Sequence, residues 1–470
     1  MALECRLPPL VSPIFVFLCL ALLVAQFVLP YRYAFAPLLV AVCHFRDIPV
    51  CQLGVSFSIY KLVILGALIR AMYERQISFS WRQPLDRLVI IWVSWAILSG
   101  FFHSSSDYNP ITIRLSLVYD AFGAYLCGRS YLRDDSDFLR FIKCLALVVI
   151  PLAALMLLEK STCHNLYGAI AGANEAVGVR NGRVRAMGPF LHPILAGTFG
   201  ATAMLLLVPL RRSNPRIATG GAAACGLIVF SSASSGPIMA LLLGLACLVG
   251  WRFRRSLPWV KRSVLVGIVG LQVVMQAPVW YLLARIDFVG GSTGWHRAEL
   301  ITSAVKYIDD WWLVGTDYTR QWMPYGVEWN SDQTDITNDY LYMGVTGGLP
   351  MMLLFTGVLL KAFRLLGKTI HEFRQAGDGR EFLCWSVGCA LFAHCLSFLS
   401  ISYFDQSRVA FWMLIGALPG LCAATLNAGE VGVSAMTCQT GDLDGWSRGE
   451  PIGNGNDRCP INSDCSSRLS

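Results

Sequence analysis

Two polar stretches bring arginine next to glycine in an otherwise apolar chain. The first, about 159–188, ends in Arg180, Asn181, Gly182, Arg183, Val184, Arg185, Ala186, Met187, Gly188. The second, about 284–337, contains Gly294, Trp295, His296, Arg297. A guanidinium is a planar fork that donates paired hydrogen bonds to phosphate oxygens and stays charged at any physiological pH. Such groups at a membrane surface suit phosphate, and a lipid-linked diphosphate is the first substrate class to consider. Arg183 and Arg185 stand directly before Met187, Gly188, Pro189, Phe190, Leu191, His192, Pro193, which opens an apolar span. The glycine and two prolines allow a broken helix start, whose free N–H groups and positive dipole end favour an anion. The competing structural role is snorkelling of the arginines to lipid headgroups.

Transfer of a group to a hydroxyl also needs a proton acceptor, and the residues placed to provide one are Asp335, Asp339, His296 and His192. Both aspartates suit helix capping equally well. No metal or cofactor is expected. The seven histidines show no HExxH or related ligand spacing. Asp135, Ser136, Asp137 has the look of a metal-binding DxD but reads as a solvated turn. Gly367, Lys368, Thr369 resembles the end of a P-loop, but the upstream glycine position is Ala362.

These residues must be positioned by membrane helices. The 470 residues are 55% hydrophobic and 14% charged, with the apolar residues in runs, and the mean hydropathy is +0.53. A hydrocarbon core of roughly 30 Å takes about 20 apolar residues per helical span. Segments near that length begin around residues 10, 54, 87, 112, 138, 189, 217, 236, 263, 340, 382 and 409. The expected fold is therefore all-α, a polytopic bundle of about 12 (roughly 11 to 13) transmembrane helices with two long extracytoplasmic loops. The apolar piece 33–45, interrupted by Pro37, sets the uncertainty at the N-terminus. The opening segment 10–29 lacks a small-residue cleavage site and reads as a retained anchor.

Charge orients the bundle. Connections with Arg211, Arg212 and Arg216, with Arg252, Arg254, Arg255, Lys261 and Arg262, and with Lys361, Arg364, Lys368, Arg374 and Arg380 should face the cytoplasm. The net charge of +8 is then largely a topology signal, with no role for nucleic acid. Most of the 16 cysteines lie in apolar spans as small buried hydrophobes. Within the spans, Asp120 needs an arginine partner, such as Arg114 or one from a loop, and His394 is expected to be satisfied by a hydrogen bond between helices. The second outer stretch, with Trp295, Tyr307, Trp311, Trp312, Tyr318, Trp322, Tyr325 and Trp329, suits a lid at the headgroup layer. A helix there should bury Leu300, Ile301, Val305, Ile308, Trp311 and Trp312. Residues 1–427 read as one membrane domain and 428–470 as a disordered cytoplasmic tail.

Over roughly residues 180–360 the order of these pieces resembles the O-antigen ligase and O-antigen polymerase family of bacterial membrane glycosyltransferases. The run from Arg185 through Gly188, Phe190 and Pro193 is similar to that family's arginine, glycine, phenylalanine and proline run. His296, Arg297, Ala298, Glu299, Leu300, followed by Trp312, Leu313, Val314, Gly315, Thr316, is similar to its second arginine and glycine turn. Asn338, Asp339, Tyr340, Leu341 with Gly348, Leu349 resembles its third motif. Many ligases have histidine where this chain has Thr337, an acid where it has Thr346, and a serine-arginine pair where it has Ser234, Ser235.

The resemblance implies a multi-pass protein of the bacterial inner membrane with a cytoplasmic C-terminus. It further implies metal-independent, inverting glycosyl transfer from an undecaprenyl-diphosphate-linked glycan donor at the outer leaflet to a glycan or lipid-linked acceptor. Polymerase, ligase and exopolysaccharide branches remain open. Arg185 and Arg297 would bind the leaving diphosphate, Asp335 or Asp339 would serve as base, and Arg183, Arg180, His192, His296, Asn338 and Tyr340 would line the substrate. The competing classes are a glycan-lipid flippase or polysaccharide transporter, and a non-catalytic envelope subunit.

Overall fold

Proline and a short polar side chain mark the start of most helices. Pro84, Pro110, Pro193 and Pro215 each occupy the first turn, where a missing N–H costs nothing. Asn109, Asp134, His192, Asn338 and Asp405 each accept a backbone N–H of the helix that follows. In the computed structural model, residues 13–53, 55–105, 109–171, 177–285, 294–327 and 331–423 are described. The tail expected over 428–470, and Trp329, lie outside them.

The helices in chain order are α1 (Pro13–Val28), α2 (Ala36–His44), α3 (Ile59–Tyr73), α4 (Pro84–Gly100), α5 (Pro110–Tyr131), α6 (Asp135–Thr162), α7 (Leu166–Ala171), α8 (Pro193–Leu207), α9 (Pro215–Ser232), α10 (Ser235–Val249), α11 (Leu257–Val274), α12 (Gly294–Lys306), α13 (Ile308–Trp311), α14 (Asp339–Gln375), α15 (Glu381–Ser397) and α16 (Gln406–Leu421). Two hairpins interrupt them: β1 (Pro49–Leu53) with β2 (Val55–Ser58), and β3 (Gly178–Arg180) with β4 (Arg183–Arg185). The protein is all-α in class, 75% helical with almost no sheet.

Four helical segments among the described residues are long and apolar enough to cross a membrane, Asp135–Thr162, Pro193–Arg212, Ser235–Ser256 and Asp339–Gln375. A fifth arises if the pair Arg262–Val274 and Val279–Arg285, bent by 92°, is one span. The expected count of about twelve crossings is not supported by the lengths and hydropathies of the described helices. Helix α1 has 16 residues and α15 has 17, short of a full crossing. The 22-residue α5 is long enough but carries Arg114, Asp120 and Arg129.

The elements sort to two ends. At one end Arg254 and Arg374 both donate to Glu381 at 3.0 and 2.8 Å, and Arg380 lies 3.7 Å from Asp135. The DxD-like Asp135 is thus in the first turn of α6, and Lys368 lies inside α14. At the other end lie the two arginine-bearing stretches and the start of α14, which a loop crosses. The Thr316 amide donates to Val345 O at 2.9 Å and the Leu349 amide to Trp312 O at 2.7 Å. α14 is broken there, at Gly347 and Gly348.

Buried charge is paired within the helices. Arg129 on α5 grips Asp86 on α4 through two bonds of 3.0 Å each, and the Tyr125 hydroxyl donates to the same carboxylate. Asp120 lies 3.9 Å from Lys61 on α3 and 4.0 Å from Arg408 on α16. The expected partner Arg114 instead reaches His103, because it sits near the start of α5, more than a turn from Asp120. His394 is satisfied by Tyr403 at 2.8 Å. Breaking one side of a buried pair strands the other charge, which costs about 3–5 kcal/mol, whereas removing both costs far less. Accordingly Arg129→Leu should strongly lower the melting temperature in detergent, and Asp86→Leu added to it should restore much of the loss. An additive double variant would show that the pair is not the source.

Candidate anion-binding site

The first arginine-bearing stretch is a hairpin. Asn181 and Gly182 both have positive φ (52° and 71°), which suits the tight turn that Asn-Gly favours between two strands. Arg180 pairs with Arg183, Val179 with Val184, and Gly178 with Arg185. Side chains alternate across a strand. Arg180, Arg183 and Arg185 therefore share one face, and Val179 and Val184 take the other. The Asn-Gly pair between two short runs was the available signal for this hairpin, and reading the stretch as loop missed it.

The hairpin is tied down from below. Lys160 donates to Val184 O at 2.9 Å, and the Ala186 amide donates to Ser231 O at 3.0 Å. The Glu159 carboxylate accepts the amides of Met187 and Gly188 at 3.0 and 2.8 Å. Gly188 has φ of +58° and packs on Met156. Past it, the Leu191 amide donates to Asp405 at 3.0 Å, and Gln406 donates to Pro189 O at 3.0 Å. These contacts carry Arg185 inward, to 7% exposure, where its Nη2 donates to Ser234 Oγ at 2.8 Å.

Arg297 arrives from α12. That helix buries Arg297, Ala298, Leu300, Ser303 and Ala304, and it forms a small core with Trp311, Trp322, Met323 and Val345. The expected apolar face is only partly right. Leu300 and Trp311 are buried, but Val305 and Trp312 are at least half exposed, because the buried stripe is centred on Arg297, Leu300 and Ala304. Trp311 and Trp322 likewise belong to this core rather than to a headgroup belt, while Trp295, Trp312, Tyr318 and Tyr325 are exposed.

Arg185 lies near enough to Arg297 to feel its charge. The Arg185 guanidinium is pushed down to about 10 first by burial and then by Arg180 and Arg297. Burial, followed by Arg180, also lowers Arg297, with Asp335 opposing. The Nε of each is buried with no hydrogen-bond partner. Buried guanidinium N–H groups ordinarily find acceptors, and like charges held together cost free energy unless an anion sits between them. His192 belongs to the same cluster. Its Nδ1 accepts the Ile194 amide at 3.1 Å, and its ring is lowered to about 4 by burial, then by Arg185, Arg180 and Arg297. The α8 N-terminus therefore differs from the expected open start: Pro193 has no N–H, and the Ile194, Leu195 and Ala196 amides are all taken by His192.

Asp335 lies on the rim. It is exposed to water, yet enough protein surrounds it that desolvation raises its carboxyl, against the smaller pull of His296 and Arg297. His296 Nε2 meets the Asp335 carbonyl at 3.1 Å; a carbonyl only accepts, so this nitrogen carries the proton. The remaining candidates are turned to structural contacts. Asn338 caps α14 through Leu341 N at 3.1 Å, and Tyr340 donates to Cys395 O at 3.2 Å. The Asp339 carboxylate is 3% exposed and accepts the Tyr403 amide at 3.1 Å, beside Arg408. Of the two aspartates, it is Asp335 that interacts with Arg297.

Among the described residues, no group of three or more His, Cys, Asp or Glu side chains has the geometry to hold a metal. Compared with protein-family models and with curated proteins, the chain gives no match.

Proposed function

We propose that the chain is a membrane glycosyltransferase that takes glycan from an undecaprenyl-diphosphate donor. The observation that carries the reading is the pair of buried guanidiniums, each with an unused Nε donor, approaching one another from separate segments. Diphosphate is the ligand chemistry that such a pair suits: it is doubly anionic or more, and its oxygens are spaced for two forks. Transfer breaks the bond between the anomeric carbon and the diphosphate oxygen and forms one to the acceptor hydroxyl oxygen. The leaving diphosphate keeps the electron pair, with Arg185 and Arg297 stabilising its charge, and Asp335 takes the hydroxyl proton.

The resemblance to O-antigen ligases and polymerases supports this assignment, with polymer growth and ligation both open. It also implies an arginine end at the outer leaflet of a bacterial inner membrane and basic connections in the cytoplasm. We further propose that the shorter apolar helices, α1 and α15 among them, complete a bundle of about twelve crossings, assisted by local bilayer thinning and flanking polar residues.

A transporter has one structural argument. Lys61, Asp86, Asp120, Arg129 and Arg408 are buried on four different helices, as a passage through a membrane would require. Each already has a charged partner within the chain, which favours a structural role.

Purified protein given a defined lipid-linked repeat unit should lengthen or transfer the glycan, which neither a carrier nor a scaffold does. Asp335→Asn should slow turnover roughly 100-fold or more, the usual scale of general-base loss, with donor binding largely kept. A base must be ionised. Because the Asp335 carboxyl is raised, activity should fall with decreasing pH from a point above the ordinary carboxylate range. An unchanged rate in Asp335→Asn would remove this residue as base, and no glycan transfer by the wild type would remove the enzyme reading.

A further inference from the structure

Among the residues of the arginine cluster, His192 has its chemistry decided by backbone geometry. It is the N-cap of α8, and its Nδ1 lies 3.1 Å from Ile194 N. The donor in that bond can only be the amide, so Nδ1 must offer its lone pair and the ring proton must be on Nε2. Two carboxylates fix the irregular segment that leads to the ring: Glu159 holds the Gly188 amide, and Asp405 holds the Leu191 amide. The charged groups that interact with the ring are Arg180 and Arg185 from the β3–β4 hairpin and Arg297 from α12. All are cations.

We infer that His192 is a permanently neutral N–H donor to the bound diphosphate, supplying Nε2–H beside the two guanidiniums, and that it is not a proton acceptor. The inference rests on the anion-site reading above. A base would need a free lone pair, and the only one on this ring is committed to the helix cap. Protonation at Nδ1 would set its hydrogen against the Ile194 N–H and undo the cap, a penalty that persists when an anion is bound. The surrounding arginines oppose the imidazolium as well, and the ring is lowered to about 4. A neutral donor has a specific use here: it adds a directed hydrogen bond where a further full positive charge would repel Arg185 and Arg297.

The test is binding of inorganic pyrophosphate to the full chain in detergent micelles, comparing wild type with His192→Ser and His192→Asn. Serine is a strong N-cap and lacks the ring donor; asparagine caps and retains a shorter N–H. His192→Ser should keep the melting temperature and bind pyrophosphate roughly tenfold or more weakly, the loss of one hydrogen bond to a charged acceptor. His192→Asn should fall between serine and wild type. The affinity ratio of wild type to His192→Ser cancels the ionisation of pyrophosphate itself, and it should stay flat from about pH 8 down to about pH 5.5, below the ordinary histidine range. A ratio that climbs as pH falls through about 6.5 would show a charged imidazole and overturn the assignment. Equal affinity in wild type and His192→Ser, with the melting temperature unchanged, would overturn it while leaving the arginine site standing. No pyrophosphate binding by the wild-type chain would overturn both.

Discussion

Arg185→Ala and Arg297→Ala should each abolish polymer or transferred glycan while leaving the protein folded and at normal abundance in the membrane. The two halves of this expectation come from one observation. Each guanidinium is buried beside cations, and each has an unpartnered Nε. Without a bound anion such groups destabilise the fold, through desolvation and mutual repulsion. Removing either one should leave the melting temperature unchanged or raise it. In the proposed reaction the same groups would meet the charge that develops on the diphosphate, and one such donor is typically worth about 100- to 1000-fold in turnover. Loss of both donors of a fork should push the effect beyond that.

Lysine should not rescue either position. Its ammonium is a point charge and cannot reproduce the planar pair of donors. At residue 185 the bond to Ser234 Oγ and any bond to substrate would then have to come from a single nitrogen. Glycan transfer from a defined donor, measured beside thermal unfolding of the same preparations, separates the cases. Wild-type turnover in either alanine variant would end the diphosphate assignment. A large drop in melting temperature would mean that the arginine holds the fold instead.

Gly348→Ala should have the largest effect on the fold. Gly348 has φ of +75° and ψ of −178°, backbone that is open to glycine and strained for other residues. A Cβ there would lie 2.2 Å from Leu313 O and 2.8 Å from Val314 N, both backbone atoms. The neighbouring loop cannot move away without giving up the bonds from Thr316 to Val345 and from Leu349 to Trp312. Strain of this kind costs about 1–3 kcal/mol before the clash is counted, so alanine should release the 312–316 loop from α14. Gly315 is the mirror of this contact, with φ of +95° and Val345 O at 2.2 Å from a Cβ. The α12–α13 core packs on the same part of α14, so Arg297 should lose its position too. Trypsin cleavage at Arg320, or hydrogen exchange across residues 294–327, should rise sharply in Gly348→Ala. Unchanged protection would show that the loop is held by the α12–α13 core alone.

The parts of the site that sequence made legible are those governed by local chemistry. Arginine beside glycine marked both segments of the candidate site, and Gly315 marked a turn; the cap was expected at Asp335 or Asp339, whereas Asn338 makes it. Asp339 shows the limit. One residue from Asn338 and four from the other acidic candidate, it looks as available as Asp335, yet its carboxylate is spent on Tyr403 N at the α15–α16 junction. That contact spans 64 residues and has no trace in spacing. The same holds for Asp120, whose partners Lys61 and Arg408 come from helices far apart in the chain.

Composition alone decided the helical class, since runs of apolar residues punctuated by proline and glycine can satisfy their backbone groups in little else. It did not decide how many helices reach full spanning length, because that depends on where caps and charges end each one. Nor did it decide that Arg185 and Arg297 share a cluster. That was settled by Ser234 holding Arg185 and by Glu159 and Asp405 gripping the 187–191 segment after the hairpin, and by Leu300, Ala304 and Trp311 seating α12 from the other side. A convergence of charges that repel each other has to be enforced by packing and hydrogen bonds elsewhere, and those exist only once the chain has folded.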